Sequence, residues 1–337
     1  MKFSVQTLET KSEIRTLNWI GGNLVDLAHG GRVYGLDGSV APSGLYWGGV
    51  FDLCVVSPSG HFAALCQRLG TKGLILDLSH QPPVLLREIN RSYYDAEVYE
   101  YPVAFVTHEG VELLVHCPDE YCRLEVEDVV TGNSMLNSEM SRQRKPADFF
   151  HSRLTISPSS RRMLSAGWIW HPFDTVALFD IQSVLARPTT LDLVTCPGLD
   201  DWNEVNSAAF VDDETLLISA NSLKVTYGDG EGHEKACIRM LSLADGKTLH
   251  QFNVDLAAGV MMPLGGEHVA TFYQHPKVFH IPTGELIASW PEIHSGSDTS
   301  SIVHHLQKSP AMAFDRKHNR FAVASGQEIV VISVLTE

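Results

Sequence analysis

Four polar residues, Asp52, Glu100, His151 and Asn206, each stand where a strand is expected to begin. Two carboxylates and an amide oxygen are hard donors suited to calcium or another divalent cation. A histidine beside them could serve as a base, and the corresponding activity would be that of a metal-dependent hydrolase or lactonase-like enzyme. The same residue types also suit plain strand starts, solvated or bonded to backbone. A second set, His116, Cys117 and Cys122 in HCPDEYC, falls within zinc-finger spacing. A fourth ligand from Asp119 or Glu120 would be awkward geometrically, so a hairpin tip with one buried and one exposed thiol is the simpler expectation. Neither a G-x-S-x-G elbow, a Walker loop nor a Rossmann fingerprint occurs. The adjacent His304 and His305 would point to opposite faces of an extended segment and could not chelate together.

These residues need elements to position them, and the chain supplies the elements as a repeat. Short β-branched and aromatic runs are broken throughout by Gly, Pro, Ser and Asp, without a helical period of any length. The segment from Arg153 to Leu193 predicts four strands: Arg153–Ser157, Arg162–Ala166, Thr175–Asp180 and Pro188–Leu193. Related third strands recur at 32–38, 73–79, 123–129, 238–244, 277–283 and 328–334. Thr131-Gly132, Asp245-Gly246 and Thr283-Gly284 follow three of them and suit a tight hairpin into a fourth strand. One such meander cannot bury both of its faces, so it needs copies on either side.

The expected fold is therefore all-β. It is a β-propeller of about seven four-stranded blades, one domain spanning residues 1–337. The chain stops soon after a third strand, EIVVISV, and Met1–Leu8 alternates like a strand. Pairing that N-terminal strand into the last blade would close the ring and hide two sheet edges.

Composition narrows the function. A formal charge of −15, from 40 acidic against 25 basic residues, disfavours a phosphate-tracking nucleic-acid binder and an anionic membrane surface. No apolar run approaches the roughly 20 residues of a spanning helix, and the N-terminus has no apolar signal core. Six scattered cysteines fit unpaired thiols in a reducing cytoplasm, the expected location.

Across essentially its whole length the chain resembles a β-propeller of the WD-repeat kind. His151, the turn Ser157-Pro158, Ser165, Asp174 and Phe179-Asp180 match that family's pattern in the best blade. Phe179 stands where the family has Trp, and no Gly precedes His151. The resemblance implies one face formed by the loops between strands two and three and between successive blades. Those loops hold an excess of aromatic and acidic residues, and the expected activity is binding rather than catalysis, with no cofactor required. The residues expected to hold a protein or peptide partner are Tyr94, Trp168, Trp170, His171 and Trp202; large aromatic anchors give contact area at low entropic cost.

Overall fold

The computed structural model describes residues 1–42, 44–169, 173–199, 204–221, 236–255, 257–300 and 309–335. Trp170, His171 and Trp202 lie outside them, as do His304 and His305. Seven antiparallel sheets follow one another along the chain and form the blades of a propeller. Blade 1 spans Asn18–Ala41, blade 2 Leu53–Asn90, blade 3 Val103–Asp128, blade 4 Phe149–Asp180, blade 5 Val205–Val254 and blade 6 Met261–Ser289. Blade 7 joins the strands Met312–Asp315, Arg320–Ser325 and Glu328–Leu335 to the N-terminal strand Lys2–Glu9. That closure runs over eight residue pairs, from Lys2 opposite Leu335 to Glu9 opposite Glu328.

Within each blade the first strand lies innermost. The innermost strands of blades 1 to 6 touch in succession, and that of blade 1 also touches Met312–Asp315 of blade 7. The reason lies in the two-residue period of a strand, which sends neighbouring side chains to opposite faces. Met163 packs toward blade 3 while the adjacent Leu164 packs toward blade 5. Seven apolar clusters result among the described residues, one at each junction between neighbouring blades. Each fully buried Leu, Ile or Phe in them contributes roughly 1.5–3 kcal/mol, and each blade shares a cluster with the blade on either side.

Among the described residues five sheets have four strands, and those of blades 3 and 4 have three. In blade 3 the Thr131-Gly132 turn still starts a short return, with Asp128 N–H donating to Asn133 O (2.9 Å) and Met135 N–H to Val126 O (2.8 Å). Blade 4 corrects the sequence reading: in place of a fourth strand at Pro188–Leu193 it has a helix, Ile181–Ala186, then a 3-10 turn, Pro188–Asp192. Asp180 caps the helix by accepting from Ser183 N–H at 2.8 Å. Ile181 and Val184, three residues apart, are buried on one side of it. Pro188 lacks the N–H a ladder needs and fits the first turn of a helix instead.

Candidate functional site: the loop face between blades 3 and 4

The connection from blade 2 to blade 3 is built on one cation. Arg91 is buried, and its guanidinium donates to the carbonyls of Gly70, Ala96, Tyr99, Glu100 and Arg68 at 2.7–3.3 Å. It also lies over the rings of Tyr99 (4.4 Å) and Tyr101 (5.1 Å). Arginine suits this role because its planar fork presents five donors in fixed directions. The segment is thereby folded back on the ring, with Tyr99 and Tyr101 buried while Tyr93 and Tyr94 remain outside.

From this segment a column of aromatic rings descends into the core. Tyr94 stacks on Tyr121 at 5.1 Å, Tyr121 on Phe150 at 4.1 Å, and Phe150 on Trp168 at 4.0 Å and 7°. Tyr99 meets Phe150 edge-on at 5.5 Å. The rings come from the 2–3 connection, the loop of blade 3 and the first two strands of blade 4, so their order is a product of the ring closure. Tyr94 is 46% exposed, whereas the two inner rings are buried, Phe150 fully and Trp168 to within 7%. The Tyr121 hydroxyl donates to Asp148 Oδ1 at 2.6 Å. Burial, and then that carboxylate, push the Tyr121 phenol up from its ordinary value.

Trp168 is thus the root of the column rather than its contact surface. Tyr94 is the tip, beside Tyr93 at 85% exposed. Sequence reasoning did not single out Tyr121 or Asp148 as contact residues, because HCPDEYC was searched for metal ligands and not for an aromatic on the loop face. It also passed over Arg91, which in sequence is one basic residue in a polar run.

The four candidate metal ligands do stand at or just before the innermost strands of blades 2 to 5, but their chemistry is already committed. Glu100 is clamped by Arg153, through Nε at 2.6 Å and Nη2 at 2.9 Å, and by Arg68 Nη1 at 3.1 Å. Asp52 Oδ1 accepts from the Arg68 backbone N–H at 2.7 Å. His151 is buried with Nδ1 2.8 Å from Ser165 Oγ, and burial lowers its pKa to about 3, unsuited to a general base. Asn206 is buried at the start of blade 5. No three His, Cys, Asp or Glu side chains gather into a metal-binding group among the described residues. These residues do not fit calcium or another divalent cation: an ion at Glu100 would have to displace two guanidinium groups.

His116 is 3.2 Å from Glu127 Oε2 rather than grouped with the thiols, and Cys117 is buried while Cys122 is half-buried. Burial raises both thiols, which keeps them protonated. The connection from blade 6 to blade 7 reaches across to blade 4, where Ser300 Oγ donates to Oδ2 of Asp174, the cross-strand neighbour of Trp168, at 2.7 Å. No helix among the described residues is long and apolar enough to cross a membrane.

No protein-family model matches the chain, and no curated protein matches it in sequence. Among solved structures it is similar to a chain in the crystal structure of a mitotic checkpoint complex. The two are 11% identical with a TM-score of 0.62, over 98% of this chain and 91% of that one. A likeness at this identity is one of architecture, and what it shares with the chain described here is the seven-bladed β-propeller.

Proposed function

We propose that this protein is a protein-interaction scaffold, a propeller of the WD-repeat type whose repeats have drifted, and that it takes a protein or peptide partner on its loop face. The observation that carries the reading is the aromatic column from Trp168 to Tyr94. A fold gains nothing from holding Tyr94 outward on a stack of rings with Tyr93 exposed beside it, whereas an interface gains an anchor whose ordering cost is already met. The His151–Ser165 hydrogen bond supports the WD-repeat assignment, since it joins the two residues that the family's pattern places together. The solved neighbour comes from a multi-protein complex, a setting consistent with this reading. Trp170, His171 and Trp202, expected from the sequence to serve the same role, lie outside the described residues.

Crosslinking capture with the wild type and with Tyr93→Ala/Tyr94→Ala tests the reading. A partner held by the wild type should be lost, by tenfold or more, from the double variant. Retention of every captured partner by the double variant would remove the column from the binding surface.

A further inference from the structure

A cavity of ≈ 850 Å³ opens on the loop face at the other side of the ring, where blades 6, 7 and 1 meet. Its volume lies within the range of ligand clefts, about 300–1,000 Å³. Ile14 and Ala324, both buried, supply an apolar floor, and Pro310 continues it. Glu13, Gln274, His275 and His294 bring polar groups to the same space.

The walls are fixed rather than collapsible. Gln274 has φ +65°, a region sparsely populated by residues other than glycine. It is held there by its own N–H donating to Gly296 O at 2.6 Å and by Ser295 N–H donating to its carbonyl at 3.0 Å. Ser295 Oγ pins the same connection to Phe272 O at 2.5 Å, and Ser309 Oγ donates to Asp298 Oδ2 at 2.6 Å across the base of the loop. A strained corner persists only where its surroundings over-determine it, and such corners gather at ligand sites.

Charge selects the occupant. Burial is the first cause lowering the His275 pKa, with Lys277 and His294 adding to it and Glu292 opposing, so the imidazole is neutral near pH 7. Lys277 turns its ammonium to the Tyr273 carbonyl at 2.8 Å. Glu13 is the one carboxylate among the described residues that line the cavity, no Lys or Arg joins it there, and the chain as a whole carries a charge of −15. A cationic side chain with an apolar stem matches a greasy floor under a carboxylate. The cavity is larger than one side chain, and its amide and imidazole groups suit backbone N–H and C=O partners.

We propose that this cavity binds a basic peptide segment. The stem of a Lys or Arg lies along Ile14 and Ala324, its cationic tip meets Glu13, and the flanking peptide backbone meets Gln274, His275 and His294. The site involves neither Tyr93 nor Tyr94, so it stands apart from the function proposed above.

Selection of random heptapeptides displayed on phage against the intact protein tests the site, followed by fluorescence polarisation with the selected synthetic peptides. Enriched sequences should pair Lys or Arg with an apolar neighbour. Their affinity should fall at least tenfold with Glu13→Gln and with Ser325→Lys, which sets a competing cation at the cavity wall, and severalfold with His294→Ala. It should be unchanged by Glu139→Gln, an exposed carboxylate between blades 3 and 4, and by Tyr93→Ala/Tyr94→Ala. The substituted side chains at Glu13 and His294 are exposed, so melting temperatures near that of the wild type are expected. A selection that yields no binder or no basic preference overturns the proposal, as does affinity indifferent to Glu13→Gln. Binding lost only in the tyrosine variant overturns it too, and assigns the peptide to the aromatic column instead.

Discussion

The two faces of this propeller are made by different rules. On the turn face, blades 2 and 4 repeat one device almost atom for atom. Ser57 and Ser157 donate their N–H to Phe62 O and Arg162 O, both at 2.9 Å. Their hydroxyls accept from the N–H of the same two residues at 3.1 and 3.0 Å. Two residues on, each turn is latched to the next blade: Ser59 to Glu112 of blade 3, with Oγ–Oε2 at 2.6 Å, and Ser159 to Asp213 of blade 5, with Oγ–Oδ1 at 2.8 Å. On the loop face the same two blades share little. Blade 4 buries His151 against Ser165, and the positions one hundred residues earlier in blade 2 are Phe51 and Leu65, both buried apolar groups. Neither the Arg91 knot nor the ring column occupies an equivalent place in blade 4; the 3–4 connection there is held instead by Arg144, buried and donating to Leu124 O at 2.7 Å and to Asp192 Oδ1 at 2.9 Å. A short turn must satisfy its own backbone and so converges on one solution. A long connection is free to diverge once a single group holds it to the ring, and binding residues accumulate there.

That contrast can be broken most severely at Arg91. Arg91→Ala removes the donors of five carbonyls, several of them buried, and should cost about 3–5 kcal/mol in denaturant unfolding. Arg91→Lys should recover little, because an ammonium cannot span the same five acceptors. A loss under ~1 kcal/mol for Arg91→Ala would mean that the connection is held by its apolar contacts alone.

The His151–Ser165 pair should show itself in acid. The imidazole titrates near 6.5 when unfolded and at about 3 when folded, so between those values the unfolded chain binds a proton that the native state refuses. Stability therefore falls as pH is lowered from ~6.5 toward ~3, by roughly 1.4 kcal/mol per pH unit from this group. Urea midpoints of wild type and His151→Asn at pH 7, 5 and 4 should converge on acidification. Parallel lines would show that burial does not hold the ring neutral.

Smaller effects probe the turn face. Ser57→Ala and Ser157→Ala should each cost about 1 kcal/mol, and equally within a few tenths, since each strips one backbone N–H of its acceptor. A large inequality would end the claim that the two turns are one device. Ser160 holds φ +61° where blade 2 has Gly60 at φ +77°. Ser160→Gly should therefore stabilise slightly, by ~0.5 kcal/mol, and Gly60→Ala, which meets no atom within 4 Å, should destabilise by about 1 kcal/mol through its backbone alone. Melting shifts of opposite sign in the two variants would sharpen the equivalence of the turns.

The legible parts of the fold were those written as local chemistry. The Ser-Pro-Ser turns, the Thr-Gly and Asp-Gly hairpins and the two-residue period each act over a few positions. The closure of Lys2–Glu9 on Glu328–Leu335 was legible too, because an incomplete last blade calls for a strand. The fourth strand of blade 4 was misread since Asp77 and Asp180 end their strands alike, each accepting an N–H from a nearby serine at 2.8 Å. Pro82 and Pro83 then bar a helix after Asp77, while Ile181 to Ala186 lacks any breaker and has a buried apolar side. Of the expected contact residues, Tyr94 and Trp168 were chosen by residue type alone, and one is the exposed tip of a column while the other is its buried root.

By itself the sequence determined a ring of antiparallel meanders, because alternation and turn chemistry are local and every blade must cover its neighbour. Only the tertiary structure decided that Glu100 belongs to two arginines, that Tyr121 joins Tyr94 to Phe150, and that Glu13 shares a cavity with His294. Those partners lie tens to hundreds of residues apart in the chain, and nothing local specifies which side chains ring closure will bring together.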